Sequence, residues 1–291
     1  MPSTDDRQMT VSQPVWYPTS SLAEAVAEVA KLFRLRFGRD PDGVWAAPGR
    51  VNVIGEHVDY NGGRCLPFAL PQRTFVALSA RKDDRIEVAS AQADHGWSGS
   101  LAAVRPGSVG PWAAYAVGVP WALRQAGLHA PGFDAIVSGQ VPLGAGLSSS
   151  AALECAVAVA LDDLGGLGLA GSDAGRTRLA QACVAAENEI AGAPTGGMDQ
   201  AAALRCTTGH ALLLDCRDFS AAQVPFDLAA AGLELLVVDT RTRHTLVDGQ
   251  YGSRRDVCKR AARLLGVPTL AEVAGTDLDD TLAMLPDGEH R

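Results

Sequence analysis

The chain has 291 residues, 47% of them hydrophobic and 20% charged, and a formal net charge of -8. Such a composition supports a sizeable core and allows two domains, or one with a large insertion. The negative balance argues against broad, salt-dependent binding to nucleic acid, though not against an anionic nucleotide, because backbone N–H groups and a metal ion can supply local positive field.

Residues 1–16 are polar and contain proline, and they read as a flexible tail. Ser21 is placed to cap a helix that carries Leu22, Val26, Val29 and Phe33 at helical spacing, and Gly38 is placed to stop it. "VWAAPGRVNVIG" reads as a strand broken by a turn, and "TFVALSARKDDRIEVAS" as a hairpin turning at Arg81–Arg85. "PWAAYAVGVPWALRQAG" is a helix that Pro120 should kink or interrupt. "FDAIVSGQVP" alternates like a half-buried strand and runs into a Gly/Ser loop and an Ala-rich helix ending near Leu164. After the loop "GLGLAGSDAG", Ser172 can cap a further helix. "HALLLDCRD" and "LELLVVDTRT" read as strands, and "YGSRRDVCKRAARLLG" as a helix with a basic outer face. Strands and helices mix without a strict βαβ period, so the class is α+β.

Six cysteines (Cys65, Cys155, Cys183, Cys206, Cys216 and Cys258) form no CxxC pair and read as reduced thiols, not a disulfide frame or a zinc site. The apolar stretch 151–164 is interrupted by Glu154, Asp162 and Asp163 and falls short of the ~20 residues of a membrane span. A soluble, cytoplasmic protein without a leader or membrane partner is the expectation.

"PLGAGLSSSAALE" is the most informative segment. Small residues let a ligand approach the backbone closely, and the helix starting at Ser148 or Ser149 points its free N–H groups and positive dipole end at the loop. That is an anion cradle suited to phosphate, and serine hydroxyls suit Mg²⁺, which prefers oxygen. It is neither a Walker A loop nor a dinucleotide fingerprint. A plain helix cap in a linker is the competing reading; an apolar strand before it and a continuous helix after it weigh against that.

Phosphate held with a metal calls for a carboxylate, and phosphoryl transfer calls for a group that receives or orients a hydroxyl proton. Asp199, on the tight loop "GAPTGGMDQAA", and Glu187, on the preceding helix, can divide those tasks, although a single acid is more often a solvated surface residue. In "GRVNVIGEHVDYNGG", Glu56, His57 and Asp59 crowd one turn. They make a poor zinc site, since no second histidine stands at i+3 or i+4. As partners for several sugar hydroxyls they suit well. Arg50 can offset charge on a transferring phosphoryl group or lower the pKa of a nearby Asp; its structural alternative is an ion pair with one of these acids.

Taken together, "GRVNVIGEHVDYNGG" resembles the galactokinase signature, and "PLGAGLSSSAALE" resembles the ATP-binding motif of the wider GHMP kinase superfamily. "AENEIAGAPTGGMDQ" is similar to the family segment with the metal Glu and catalytic Asp, and "RHTLVDGQYGSRRDVC" to a later segment whose Tyr contacts the sugar. The resemblance implies transfer of the ATP γ-phosphoryl group to the anomeric hydroxyl of galactose. It assigns Asp199 as base and Arg50 to the transition state. Glu56, His57 and Asp59 would bind sugar hydroxyls with Tyr251 nearby. Gly144, Ala145, Gly146, Leu147, Ser148, Ser149 and Ser150 would hold the phosphates, and Ser150 and Glu187 the Mg²⁺. It also implies two α+β lobes with the site between them: an N-terminal lobe over 17–220 and the start of a second over 221–291; a monomer is the expectation.

Two departures stand out. Val58 replaces the usual Thr of the signature, at a position not expected to touch sugar. The family's later glycine-rich G-G-G-x-G-G motif has no counterpart, since glycine doublets begin only at Gly62, Gly165 and Gly196. Relatives continue past "LPDGEHR" for roughly 100 residues, the scale of a small domain, so the second lobe reads as incomplete. A kinase for another sugar, such as N-acetylgalactosamine or arabinose, and a non-catalytic sugar sensor are the alternatives.

Overall fold

Helix α1 (Leu22–Phe37) forms where the sequence offers both ends of a helix. Ser21 and Glu24 make a reciprocal capping box, and Gly38 closes the helix in a left-handed conformation with φ 70°. The computed structural model describes residues 16–17, 20–239, 250–273 and 275–286, so the expected tail at 1–16 lies, Trp16 apart, outside the described residues.

The first sheet is built from β1 (Gly43–Asn52), β3 (Pro67–Ala80), β4 (Arg85–Ser90), β5 (Trp97–Ser100) and β6 (Phe133–Gly139), in the order β1-β3-β6-β4-β5. A two-residue strand, β2 (Arg64–Cys65), interrupts the chain between β1 and β3 and belongs to a second sheet. β6 lies antiparallel to β3 and parallel to β4. The expected β3–β4 hairpin is therefore corrected: both strands exist, but β6 sits between them. A charged turn marks where a chain leaves a strand, not which strand it pairs with next.

Side chains alternate across the sheet with period two. Phe75, Ala77 and Ile136 pack under Ala25, Val29 and Phe33 of α1. Val76, Leu78, Phe133, Ala135 and Val137 face the other way, against α2 (Ala113–Gln125) and α3 (Ser149–Leu164). β6 is thus covered on both faces, which corrects its half-buried reading. Its one acid, Asp134, is buried and paired with Arg39 at 2.7 Å and Arg81 at 2.9 Å, so the polar position that suggested a solvent face is a carboxylate covered by two partly exposed arginines. Helix α2 runs through Pro120 without interruption; the proline is buried, and packing holds the helix where one N–H is missing.

Helix α4 (Asp173–Ala185), capped by Ser172, continues as a π-helical stretch over Ala186–Ala191 and leads to α5 (Met198–Arg205). The second sheet joins β2, β7 (His210–Asp215) and β8 (Ser220–Pro225) in the order β2-β7-β8. The expected lobe boundary at 220/221 falls inside β8, whose ladder binds it to β7. The strand expected over 233–242 is not formed by its described part: Leu233–Asp239 has no ladder, and Leu236 and Val238 are 69% and 71% exposed. A strand needs a hydrogen-bonded neighbour, and no described strand lies beside this one. Helices α6 (Gln250–Leu264) and α7 (Leu278–Ala283) follow, and α6 packs on the 59–61 turn.

Among the described residues no helix is long and apolar enough to cross a membrane, and none of the described His, Cys, Asp and Glu side chains gather in threes as a metal site would. All six cysteines are free thiols.

Candidate active site

The two motifs meet at backbone level first. β1 carries an irregularity between Pro48 and Arg50, where the Arg50 N–H leaves the ladder and donates to the Leu147 carbonyl at 3.1 Å. A Cβ on Gly49 would lie 2.6 Å from that same carbonyl oxygen, so the approach of strand and loop requires glycine.

Side chains complete the junction. The Arg50 guanidinium donates to Asp199 Oδ1 through Nε at 2.8 Å, with a second nitrogen 2.7 Å from the same oxygen, and to the Gly146 carbonyl at 2.6 Å. Ser148 takes a left-handed conformation, φ 60° and ψ 49°, at the N-terminus of α3, and its hydroxyl donates to Asp199 Oδ2 at 2.6 Å. Both oxygens of Asp199 are therefore held, in the first turn of α5, by the strand motif on one side and the loop motif on the other. Such charge-assisted bonds fix orientation as well as charge.

The acidic turn is anchored to the same place. Asp59 is buried and accepts the Gly196 N–H at 3.1 Å. A Cβ on Gly196 would come within 2.4 Å of the Tyr60 nitrogen and 2.5 Å of Asp59 Cγ, which leaves room only for glycine. Burial first, then the neighbouring Asp199 charge, pushes the Asp59 carboxyl above its ordinary range. Glu56 accepts from Asn52 Nδ2 at 2.8 Å. His57, itself left-handed at φ 59°, shares a hydrogen bond of 2.8 Å between Nδ1 and the Tyr60 hydroxyl.

Glu187 lies in the π-helical stretch, 5% exposed. Burial and then the charge of Asp199 raise its carboxyl to about 7, while hydrogen bonds from Ser150 and Gln200 work in the opposite direction. π-Helical insertions re-aim a side chain and recur at functional sites. The Ser150 hydroxyl, in the first turn of α3, and the Glu187 carboxylate are hard oxygen donors lining the same cavity. That pair fits Mg²⁺, which takes one or two carboxylates and completes its shell with water and phosphate.

A cavity of about 660 Å³ collects these groups: Arg50, Glu56, His57 and Asp59 on one wall, Gly144–Ser150 on another, Glu187 and Asp199 between. The structure so brings to one cleft every sequence-derived site residue whose side chain is described. Tyr251 belongs to the first turn of α6, and its side chain lies outside the described residues. Sequence reasoning missed Asn52, Gly196, Glu154 and Gln200. A signal existed for Glu154, an acid inside an otherwise apolar helical run; Glu154 and Gln200 are both fully buried.

Known proteins resemble this chain in sequence and in fold. The pattern described as the galactokinase galactose-binding signature matches residues 31–80, and that of the GHMP kinases N terminal domain matches residues 114–206. The galactokinase of Streptomyces coelicolor is 51% identical over 271 residues, 92% of this chain and 69% of that protein. Human galactokinase is 40% identical over 266 residues, 89% of this chain and 65% of its own length. The crystal structure of Lactococcus lactis galactokinase complexed with galactose superposes with a TM-score of 0.77 at 27% identity, covering 91% of this chain and 68% of that one. The chain thus spans about two thirds of the length of these relatives.

Proposed function

The chain belongs to the galactokinase family, and from that premise we propose that the full-length protein transfers the γ-phosphoryl group of ATP to the anomeric hydroxyl of galactose, giving galactose 1-phosphate. The observation that carries this reading is the Arg50–Asp199–Ser148 junction, which ties the strand leading into the Glu56–Asp59 turn to the Gly144–Ser150 loop across one cavity.

Phosphoryl transfer asks mainly for positioning and charge compensation. Glu56, His57 and Asp59 orient the sugar, with Tyr251 packing near it. Asp199 receives or orients the proton of the attacking hydroxyl. Arg50, already paired with Asp199, also offsets charge gathering on the phosphoryl oxygens. The backbone N–H groups of Gly144–Ser150 hold the phosphates at the N-terminus of α3. Ser150 and Glu187 would hold Mg²⁺, whose contribution when bound is to neutralise phosphate charge. The reading extends to a cytoplasmic monomer.

ADP release by the full-length protein, coupled to a colour reaction and run against a panel of sugars, tests the proposal. Galactose should turn over, with N-acetylgalactosamine and arabinose at least tenfold slower. Glu56→Gln, which removes a charge-assisted bond of about 1.5–3 kcal/mol, should raise the galactose KM about 10–100-fold and leave the ATP KM unmoved. No sugar-dependent ADP release, or faster turnover of another sugar, would reject the assignment. Gly196→Ala forces a methyl group into the Asp59–Tyr60 backbone. It should weaken galactose binding by about tenfold or more in calorimetric titration, because it displaces Asp59, and one charge-assisted bond from Asp59 to the sugar is worth at least that. Unaltered binding would show that the turn is held some other way.

A further inference from the structure

Behind the cavity lies a buried polar group that the proposed reaction does not use. Gln200 is 0% exposed, beside Asp199 on α5. Its Nε2 donates to Glu187 Oε2 at 2.5 Å and to Glu154 Oε2 at 2.9 Å. Glu154, also 0% exposed, stands one turn along α3 from Ser150. One amide so bridges two carboxylates from different elements, spending both N–H groups. Gln200 Oε1 and Glu154 Oε1 are left buried without a partner.

Such a group is costly where an apolar side chain of the same size would pack without loss. Its surroundings explain why it is useful. Glu187 is pulled by Arg50 and repelled by Asp199, both on the cavity wall. The bond from Gln200, made from behind the cavity, holds the carboxylate against both of these pulls. The second partner, Glu154, keeps the Gln200 amide from turning away. We propose that Gln200 is a positioning residue: its buried amide locks the Glu187 carboxylate in the orientation that, with Ser150, holds the divalent cation. This rests on the kinase reading above, in which Glu187 is a cation ligand. Partners behind a metal ligand set its rotamer and commonly matter 10–100-fold in metal affinity.

Mn²⁺ is the probe, titrated by electron paramagnetic resonance into the full-length protein with a non-hydrolysable ATP analogue. Gln200→Leu should raise the Mn²⁺ dissociation constant about 10–100-fold, keep the galactose dissociation constant within about twofold, and regain kcat as Mg²⁺ is raised. A Mn²⁺ constant within about twofold of wild type would overturn the inference, as would an equal loss of cation and galactose affinity, the mark of a merely structural role. If Gln200→Leu does not fold, Gln200→Met, which keeps the length of the side chain and loses the paired N–H donors without adding a third buried acid, is read against the same limits. A wild-type protein that neither binds Mn²⁺ with nucleotide nor phosphorylates galactose would instead sink the kinase reading beneath it.

Discussion

Replacing Asp199 with Asn is expected to lower kcat about 10³-fold, within the 10²–10⁴ range of positioned acid–base groups, while galactose still binds. The substitution keeps the size of the side chain and one acceptor for Arg50, so the junction with Ser148 can persist. What disappears is the negative charge that neutralises Arg50 and that, on the proposed reading, receives the hydroxyl proton. Asp59 would also feel the change: its carboxyl is raised partly by the Asp199 charge, so it should ionise more easily in the variant. Sugar affinity should therefore hold or improve slightly. Steady-state kinetics and calorimetric titration of galactose measure the two halves separately. A kcat within tenfold of wild type would remove Asp199 from the chemistry.

Phe133→Ala should cost about 3–5 kcal/mol of stability, the usual range for emptying an aromatic site in a core. Phe133 is 0% exposed and opens β6, where it pairs with Ala80 on one side and Ile86 on the other. Its ring fills the layer between the sheet and the α2–α3 pair. Strands on both sides and helices on the covered face leave little freedom to collapse into the void. The loss is a large part of the 5–15 kcal/mol that holds a typical domain together. Urea denaturation should show a lower midpoint with an unchanged slope. A shift worth less than about 1.5 kcal/mol would mean that the layer repacks around the gap.

Local chemistry was legible in the sequence wherever it depends on near neighbours. The capping box of α1, the Gly38 stop, the Ser172 cap and the start of α3 all stand where Ser, Glu and Gly mark them. The residues that line the cleft were legible too, as polar side chains and small residues on loops and helix ends. Pairing was not. The segments 74–80 and 85–90 look like a hairpin because they are adjacent and turn through charged residues, yet β6 separates them. Asp134 looked like a solvent position until two arginines closed over it.

The sequence by itself determined most helices, their caps and the main strands of the first sheet, because propensity, capping and hydrophobic period act over a few residues; the strand expected over 233–242 shows where a ladder partner was needed as well. Tertiary structure alone decided that Arg50, Ser148 and Asp199 share one set of hydrogen bonds, and that Gln200 reaches both Glu154 and Glu187. Those bonds join residues between 13 and 149 positions apart. Only packing of a sheet between two helix layers brings such residues within hydrogen-bonding reach, and no periodicity in the chain encodes that distance.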